Sequence, residues 1–412
     1  MNSELPTVLG AVASLLFGLL WVPVAVFSVQ VFAAKPHQSK QGRSRSANGG
    51  SLDDSESRPR PRLAVLVPAH NEAVGIAATL IDVISQLNAG DRLLVVADNC
   101  SDATADVARR CGAEVIEREH DTSRGKGHAL DFGLRHLAAK PPEVLIVVDA
   151  DCSVDVGALQ RLAVACARSQ RPVQGMYLMH APVNAPLRLR VAAFAWRVKN
   201  WVRPLGASRF GMPCPLMGTG MAFPWVLISG ASLATAHLVE DMKLGLELAL
   251  AGSPPLFVSD ARVNSVFPLA REAAQAQRAR WEHGHLSMLL SEGPSLLTRA
   301  LVTRDLRLAA MALDLMVPPV TLLLGAVLLT VVIGAALLPV ASALPAWIAG
   351  ACLTLMLAAL VKAWWLVGRD LLSVSDLLRA PAHALLKFPL YLKFITNRQK
   401  DWVRTERHDD KP

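Results

Sequence analysis

Two stretches of the chain carry no charged residue, Val8 to Ala34 and Leu315 to Val361. The first is long enough to cross a hydrocarbon core of about 30 Å as one helix, with room for tilt. It lacks a short apolar region followed by a small-residue cleavage site, so an uncleaved anchor is expected. The second stretch, 47 residues, exceeds the roughly 20 that one span needs, and the turn-prone segment Pro339 to Pro345 divides it into a hairpin. Further on, Ala382 to Ile395 mixes apolar residues with Lys387 and Lys393 over a length too short to cross. That pattern predicts an amphipathic helix lying in the membrane interface.

Between the anchors the hydrophobic period changes. LAVLVPA (Leu63 to Ala69), RLLVVAD (Arg92 to Asp98), EVIER (Glu114 to Arg118) and VLIVVDAD (from Val144) read as strands. Each of the first three is followed by a helical pattern, over Val74 to Leu87, Ser101 to Cys111 and Lys126 to Leu137. Four strand-then-helix units predict a doubly wound α/β sheet with these strands parallel, whose ligands bind at the carboxyl ends. RPVQGMYLM supplies a further strand, Pro186 to Val202 a helix, Pro255 to Val263 a strand, and Arg271 to Leu290 a long helix.

Composition narrows the class. The chain is 52% apolar with a positive mean hydropathy, which fits a membrane protein carrying a sizeable soluble part. The net charge of +8 comes from basic residues beside apolar runs and not interleaved with aromatics, which argues for membrane flanks and against nucleic acid. Lys35 to Arg62 holds seven Lys/Arg against three acids among Ser, Gly and Pro, a disordered linker with a cytoplasmic bias. Arg299, Arg304 and Arg307 before the hairpin and Lys362 and Arg369 after it put both of its ends on the same side. The six cysteines form no C-x-x-C pair, so neither a zinc site nor a disulfide framework is expected.

The candidate chemistry starts at VVDADCSVD, where an apolar strand stops at Asp149 and Asp151. Two carboxylates at a strand mouth suit Mg²⁺ or Mn²⁺, which take oxygen ligands and share their coordination with substrate phosphates. Polar residues also close two other strands, His70-Asn71-Glu72 and Asp98-Asn99. A phosphate-binding P-loop is excluded, because Gly127 follows Lys126 where Ser or Thr should stand, and PAHNEAVG lacks the glycines of a dinucleotide fold. No charge lies inside the spans, which disfavours a transporter.

In chain order Asp98, Asp149-Ala-Asp151, Glu240-Asp241 and Gln277-Arg-Ala-Arg280-Trp281 form a set D, D-x-D, E-D, Q-x-x-R-W. This ordered set resembles the membrane-bound inverting glycosyltransferases of family 2, the group of cellulose, chitin, hyaluronan and Nod-factor synthases, over about Leu63 to Leu290. The resemblance implies a GT-A-like, doubly wound mixed sheet in the cytosol, between N-terminal and C-terminal transmembrane helices. It implies a nucleotide-diphosphate sugar donor, a UDP-sugar, held by Glu72, Asp98, Lys126, Asp149 and Arg280, with Mg or Mn on Asp149 and Asp151. By the same resemblance Asp241 is the general base, although the usual Thr before Glu-Asp reads Val239 here, and Gly218, Thr219, Gln277 and Trp281 meet the acceptor.

The domain plan that follows is a transmembrane helix over 8–34, a linker over 35–62, the glycosyltransferase domain over 63–300, a hairpin over 308–367, and an interface helix with a basic tail over 380–412. The expected location is the inner (plasma) membrane of a bacterium, with a glycan or lipid-linked acceptor, membrane lipid and polysaccharide-export partners. Ceramide glucosyltransferases share the plan and supply an alternative acceptor. An inactive scaffold is the alternative of another class, and it would be expected to have lost a carboxylate that this chain retains.

Overall fold

A computed structural model describes residues 5–35, 60–120, 123, 125–234, 239–268, 270–377, 379, 391 and 394. The expected linker and C-terminal interface helix lie almost wholly outside them. The elements are α1 (Leu5–Ala33), β1 (Leu63–Ala69), α2 (Ile76–Ile84), β2 (Arg92–Asp98), α3 (Thr104–Arg110), β3 (Glu114–Arg118), α4 (Lys126–Leu137) and β4 (Val144–Val147). They continue with β5 (Ser153–Val154), α5 (Ala158–Ser169), β6 (Val173–His180), α6 (Leu187–Arg197), a π-helical turn (Val198–Val202), α7 (Arg203–Ser208), β7 (Met221–Pro224), α8 (Trp225–Ile228), α9 (Glu240–Leu250) and β8 (Leu256–Val266). Five further helices follow in the same order, α10 (Arg271–Ser291), α11 (Gly293–Thr303), α12 (Leu306–Leu315), α13 (Val320–Leu337) and α14 (Leu344–Val367), the last two forming the hairpin.

The strands form one sheet in the order β3-β2-β1-β4-β7-β6-β8-β5. The first four are parallel, β7 runs antiparallel to both β4 and β6, and β6 and β8 are parallel. The sheet is therefore the mixed, doubly wound form expected. β1 is apolar without alternation because both of its faces are covered. Val65 and Val67 point into one core with Leu80 and Val83 of α2, while Ala64 and Leu66 face Leu130 and Leu134 of α4. Full burial of each such Val or Leu contributes about 1.5–3 kcal/mol.

Among the described residues three helices are long and apolar enough to cross a membrane, Pro6–Ala33, Val320–Leu337 and Leu344–Val367. The amphipathic α12 stands apart from the hairpin that follows it. The rod formed by α6, the π turn and α7 runs six residues beyond the expected end at Val202, to Ser208, and lies on the membrane helices. Val24, Phe27 and Val31 of α1, Val198, Val202 and Leu205 of the rod, and Met356 and Ala359 of α14 share one cluster.

Polar ties fix the docking. Arg203 Nε donates to Gln30 Oε1 at 2.7 Å, Gln30 Nε2 donates to Asp314 Oδ1 at 2.6 Å, and Arg203 Nη2 donates to the same oxygen at 2.8 Å. Arg190 pairs with Asp376 and Arg197 with Asp370, each at 2.7 Å. Gly206 meets α1 so closely that a Cβ there would overlap the Gln30 carbonyl, whereas a Cβ at Gly18 of α1 meets nothing within 4 Å. Gly206→Ala should therefore destabilise the detergent-solubilised protein by about 1–3 kcal/mol, read as a lower thermal midpoint, and Gly18→Ala should not. Equal midpoints for the two variants would contradict this packing.

Candidate active site

β1, β2 and β4 run parallel, so the residues after their last buried positions emerge on one edge of the sheet. Because β7 is antiparallel to β4, the residues entering β7 arrive at that same edge. Gly220 N donates to Val147 O at 2.9 Å, and Asp149 N donates to Thr219 Oγ1 at 3.0 Å. Thr219 is fully buried, so it acts as a rivet between the two strand ends. Gly218 has φ +91°, a region that favours glycine. Its carbonyl accepts from Lys126 Nζ at 2.7 Å, and the same ammonium pairs with Asp149.

α9 brings the remaining carboxylates. Glu240 and Asp241 are its first two residues, where the helix dipole favours negative charge. A Cβ on Gly218 would lie 3.4 Å from Asp241 Oδ2 and 3.6 Å from Lys126 Nζ. Lys126, Asp149, Gly218 and Asp241 thus converge on one spot, although they come from four elements spread over more than a hundred residues.

The electrostatics follow from this crowding. Burial alone would lower the Lys126 pKa, but Asp149, Glu240 and Asp241 overcome it and raise it. Loss of hydration and then Asp241 push the Glu240 carboxyl up to about 7. Asp241 is raised as well, by burial working against the attraction of Lys126. Burial lowers the Arg280 pKa, while Glu240, Asp149 and Asp241 support its charge. Asp149, Asp151, Glu240 and Asp241 together outnumber the three cations that act on this cluster, Lys126, Arg280 and Lys199.

Asp149, Asp151 and Cys152 place ligand atoms within 4.8 Å of one another. Burial, then the nearby Asp149, drive the Cys152 thiol far up, so it stays protonated. Only the carboxylate oxygens remain as donors, which suits a hard dication such as Mg²⁺ or Mn²⁺ and not a thiophilic metal. The local excess of negative charge agrees. Ser265 Oγ on β8 donates to Asp151 Oδ2 at 3.2 Å and holds that carboxylate from the opposite half of the sheet.

The other expected residues lie around this centre. Asp98 is buried at the end of β2, paired with Arg118 at 2.5 Å and accepting from Asn99 Nδ2 at 3.0 Å, so its partners come from β2 and β3 and not from the Lys126 cluster. Glu72 follows β1, and its backbone N–H donates to Thr104 Oγ1 at 2.8 Å. On α10, Gln277 is 1% exposed, and its Nε2 has no hydrogen-bond partner among the described residues. Trp281 packs on Trp196 at 4.7 Å between ring centroids. Trp196 in turn meets Tyr177 and Phe267 edge-on at 5.4 and 6.2 Å and donates from Nε1 to Tyr177 O at 3.1 Å. This aromatic stack holds α10 over β6. His283 and His285, which share α10, are both buried, and His285 Nε2 bonds the Leu315 carbonyl at 3.1 Å, in keeping with structural roles.

Arg118, Tyr177, Trp196 and Ser265 were not singled out from the sequence. Arg118 closes EVIER as an ordinary strand-end cation, and the other three become neighbours of the site only through pairing in the second half of the sheet.

The family described as "Glycosyltransferase like family 2" matches residues 59–284, more than half of the chain. An uncharacterized glycosyltransferase of Mycobacterium tuberculosis is 34% identical over 200 residues, covering 44% of this chain and 85% of the relative. The 4,4'-diaponeurosporenoate glycosyltransferase of Staphylococcus aureus is 34% identical over 239 residues, covering 55% of this chain and 60% of the relative. Among solved structures, a mannosyltransferase from Pyrobaculum calidifontis in complex with GDP-Man and Mn²⁺ is 20% identical, with a TM-score of 0.45, covering 74% of this chain and 88% of that one.

Because the folded-state pKa of Glu240 is raised to about 7, the folded protein keeps a proton that the unfolded chain has already released at lower pH. That stability is present in acid and is lost as pH rises through about 7. Without divalent cations the thermal midpoint should fall for wild type relative to Glu240→Gln between about pH 5 and about pH 8. Parallel curves for the two proteins would refute the assignment.

Proposed function

Because the chain belongs to the glycosyltransferase-like family 2, we propose that it is an inverting transferase that moves a sugar from a nucleotide-diphosphate sugar, a UDP-sugar, to a membrane-associated glycan or lipid acceptor. The observation that carries this reading is the convergence of Asp241, Gly218, Lys126 and Asp149 at the carboxyl edge of the sheet. One spot there offers a carboxylate base, a cation for phosphate and a glycine without a side chain to obstruct a sugar.

In this mechanism Asp241 removes the proton of the acceptor hydroxyl as its oxygen attacks the anomeric carbon. Attack comes from the face opposite the diphosphate, which inverts the configuration. The raised Asp241 pKa strengthens it as a base, and the pull of Lys126 limits the rise so that the carboxylate form is accessible. Lys126 and Arg280 meet the negative charge that grows on the departing diphosphate. A divalent cation on Asp149 and Asp151 would neutralise the same charge. Glu72, Asp98 and the Arg118 that braces it line the nucleoside end. Gln277 and Trp281 stand on the acceptor side, with the Gln277 amide buried there without a partner among the described residues, while the fully buried Thr219 supports that side as the rivet behind Gly218.

The reading extends to location. The transferase domain lies at the cytosolic face of the inner (plasma) membrane, consistent with arginines 299, 304 and 307 beside the exposed Leu301, Val302 and Leu306. Three candidate spans among the described residues are few for conducting a long polymer. Short extension or single transfer in a cell-surface or exopolysaccharide pathway therefore fits best.

Asp241→Asn should bind the UDP-sugar as wild type does and lose transfer by about 10²–10⁴-fold. A screen of labelled nucleotide sugars on membranes holding each protein, with product sizing, measures this. Full transfer by the variant would rule out the base.

A further inference from the structure

β6 and β8 pair in parallel, but their register shifts between Gly175, opposite Val258, and Met176, opposite Arg262. Ser259, Asp260 and Ala261 are therefore extra on β8, and an odd number of extra residues reverses which side chains face together. Beyond the shift Tyr177 stands opposite Val263 and Met179 opposite Ser265. Residues two apart lie on one face of a sheet, so Tyr177 and Ser265 are diagonal neighbours on the same face. Bulges beside a site commonly re-aim side chains in this way. Close backbone approach goes with it, since a Cβ on Gly175 would lie 2.8 Å from the Ala261 carbonyl oxygen.

A chain of contacts results. Ser265 Oγ donates to Asp151 Oδ2 at 3.2 Å, and the Tyr177 phenol hydrogen-bonds the same serine. A hydroxyl has one proton to give. With the serine proton committed to Asp151, the phenol is the donor to Ser265. At its other end the Tyr177 carbonyl accepts from Trp196 Nε1 at 3.1 Å, and Trp196 packs on Trp281 at 4.7 Å. Tyr177 and Ser265 are both buried, whereas Asp151 is half-buried at the mouth of the sheet. The serine therefore fixes the orientation of a carboxylate that would otherwise choose among rotamers, and it leaves lone pairs for a cation.

We propose that Tyr177 and Ser265 are a positioning pair for the dication: the phenol holds the serine hydroxyl, the hydroxyl holds Asp151, and the metal is thereby registered to the aromatic stack that carries Trp281. This rests on the transferase reading and adds to it how the metal side and the acceptor side are kept in step.

The test is Mn²⁺ affinity by electron paramagnetic resonance on the full chain in detergent, with and without UDP, in Ser265→Ala, Ser265→Thr, Tyr177→Phe and the Tyr177→Phe/Ser265→Ala double variant. Ser265→Ala should weaken Mn²⁺ binding by about tenfold, and Ser265→Thr, which keeps the hydroxyl, should restore most of it. Tyr177→Phe should weaken binding by about threefold and add nothing in the Ser265→Ala background, because the phenol acts through the serine. A merely structural role would lower the thermal midpoint and leave the Mn²⁺ affinity of the folded protein unchanged. That result, or a Tyr177→Phe effect of equal size in both backgrounds, would overturn the inference. Should Ser265→Ala fail to fold, Tyr177→Phe decides alone, with unchanged Mn²⁺ affinity as the contrary result. Absence of any UDP effect on Mn²⁺ binding in wild type, with the variants behaving as stated, would instead remove the transferase reading and leave the pair standing.

Discussion

The site depends on one ammonium among too many carboxylates. Lys126 starts α4, yet its partners come from the end of β4 and from the loop before β7, and Asp241 of α9 lies close by. Four elements can meet there only because β7 enters the sheet antiparallel to β4 and delivers Gly218 and Thr219 to the edge where β4 releases Asp149. Without Lys126 three carboxylates would face one another at low hydration, which like charges resist. With it the cluster is tolerated but still short of positive charge. That shortfall is what a diphosphate-bound dication would relieve, so structural strain and proposed function have one source.

The second constraint is the seat of the sheet on the membrane helices. Arg190, Arg197 and Arg203 recur along the α6–α7 rod and each finds a carboxylate outside the sheet domain, at Asp376, Asp370 and Asp314. The Arg203–Asp314 pair is largely buried, and such a pair adds little net stability because the cost of desolvation offsets the attraction, while the other two are partly exposed and weaker still. Their value lies in register: Arg203 one turn out of place would strand a buried charge. The rod is thus held at one height against α1 and α14.

Much of this was legible in the sequence. Leu63–Ala69, Arg92–Asp98 and Lys126–Leu137 form with the expected limits because strands buried on both faces and a glycine-flanked helix start leave strong local signals. The gathering of Asp149, Lys126 and Asp241 was foreshadowed by motif order. What stayed hidden depends on tertiary pairing. The parallel pairing of β6 with β8, which carries Tyr177 and Ser265 to the site, has no local signature. The continuation of the rod to Ser208 is masked by Pro204, a residue that reads as a helix breaker but sits in the first turn of α7. Lys199 looks like one more basic residue near a membrane segment, and only the fold brings its charge to bear on Asp241.

The most direct test is binding of Mn²⁺ followed by electron paramagnetic resonance, with and without UDP, in wild type and Asp151→Asn. If the carboxylate edge is built for a diphosphate-bound dication, UDP should tighten Mn²⁺ binding in wild type, and Asp151→Asn should weaken it by more than about tenfold without lowering the thermal midpoint. Equal Mn²⁺ affinity in the two proteins, insensitive to UDP, would contradict the account.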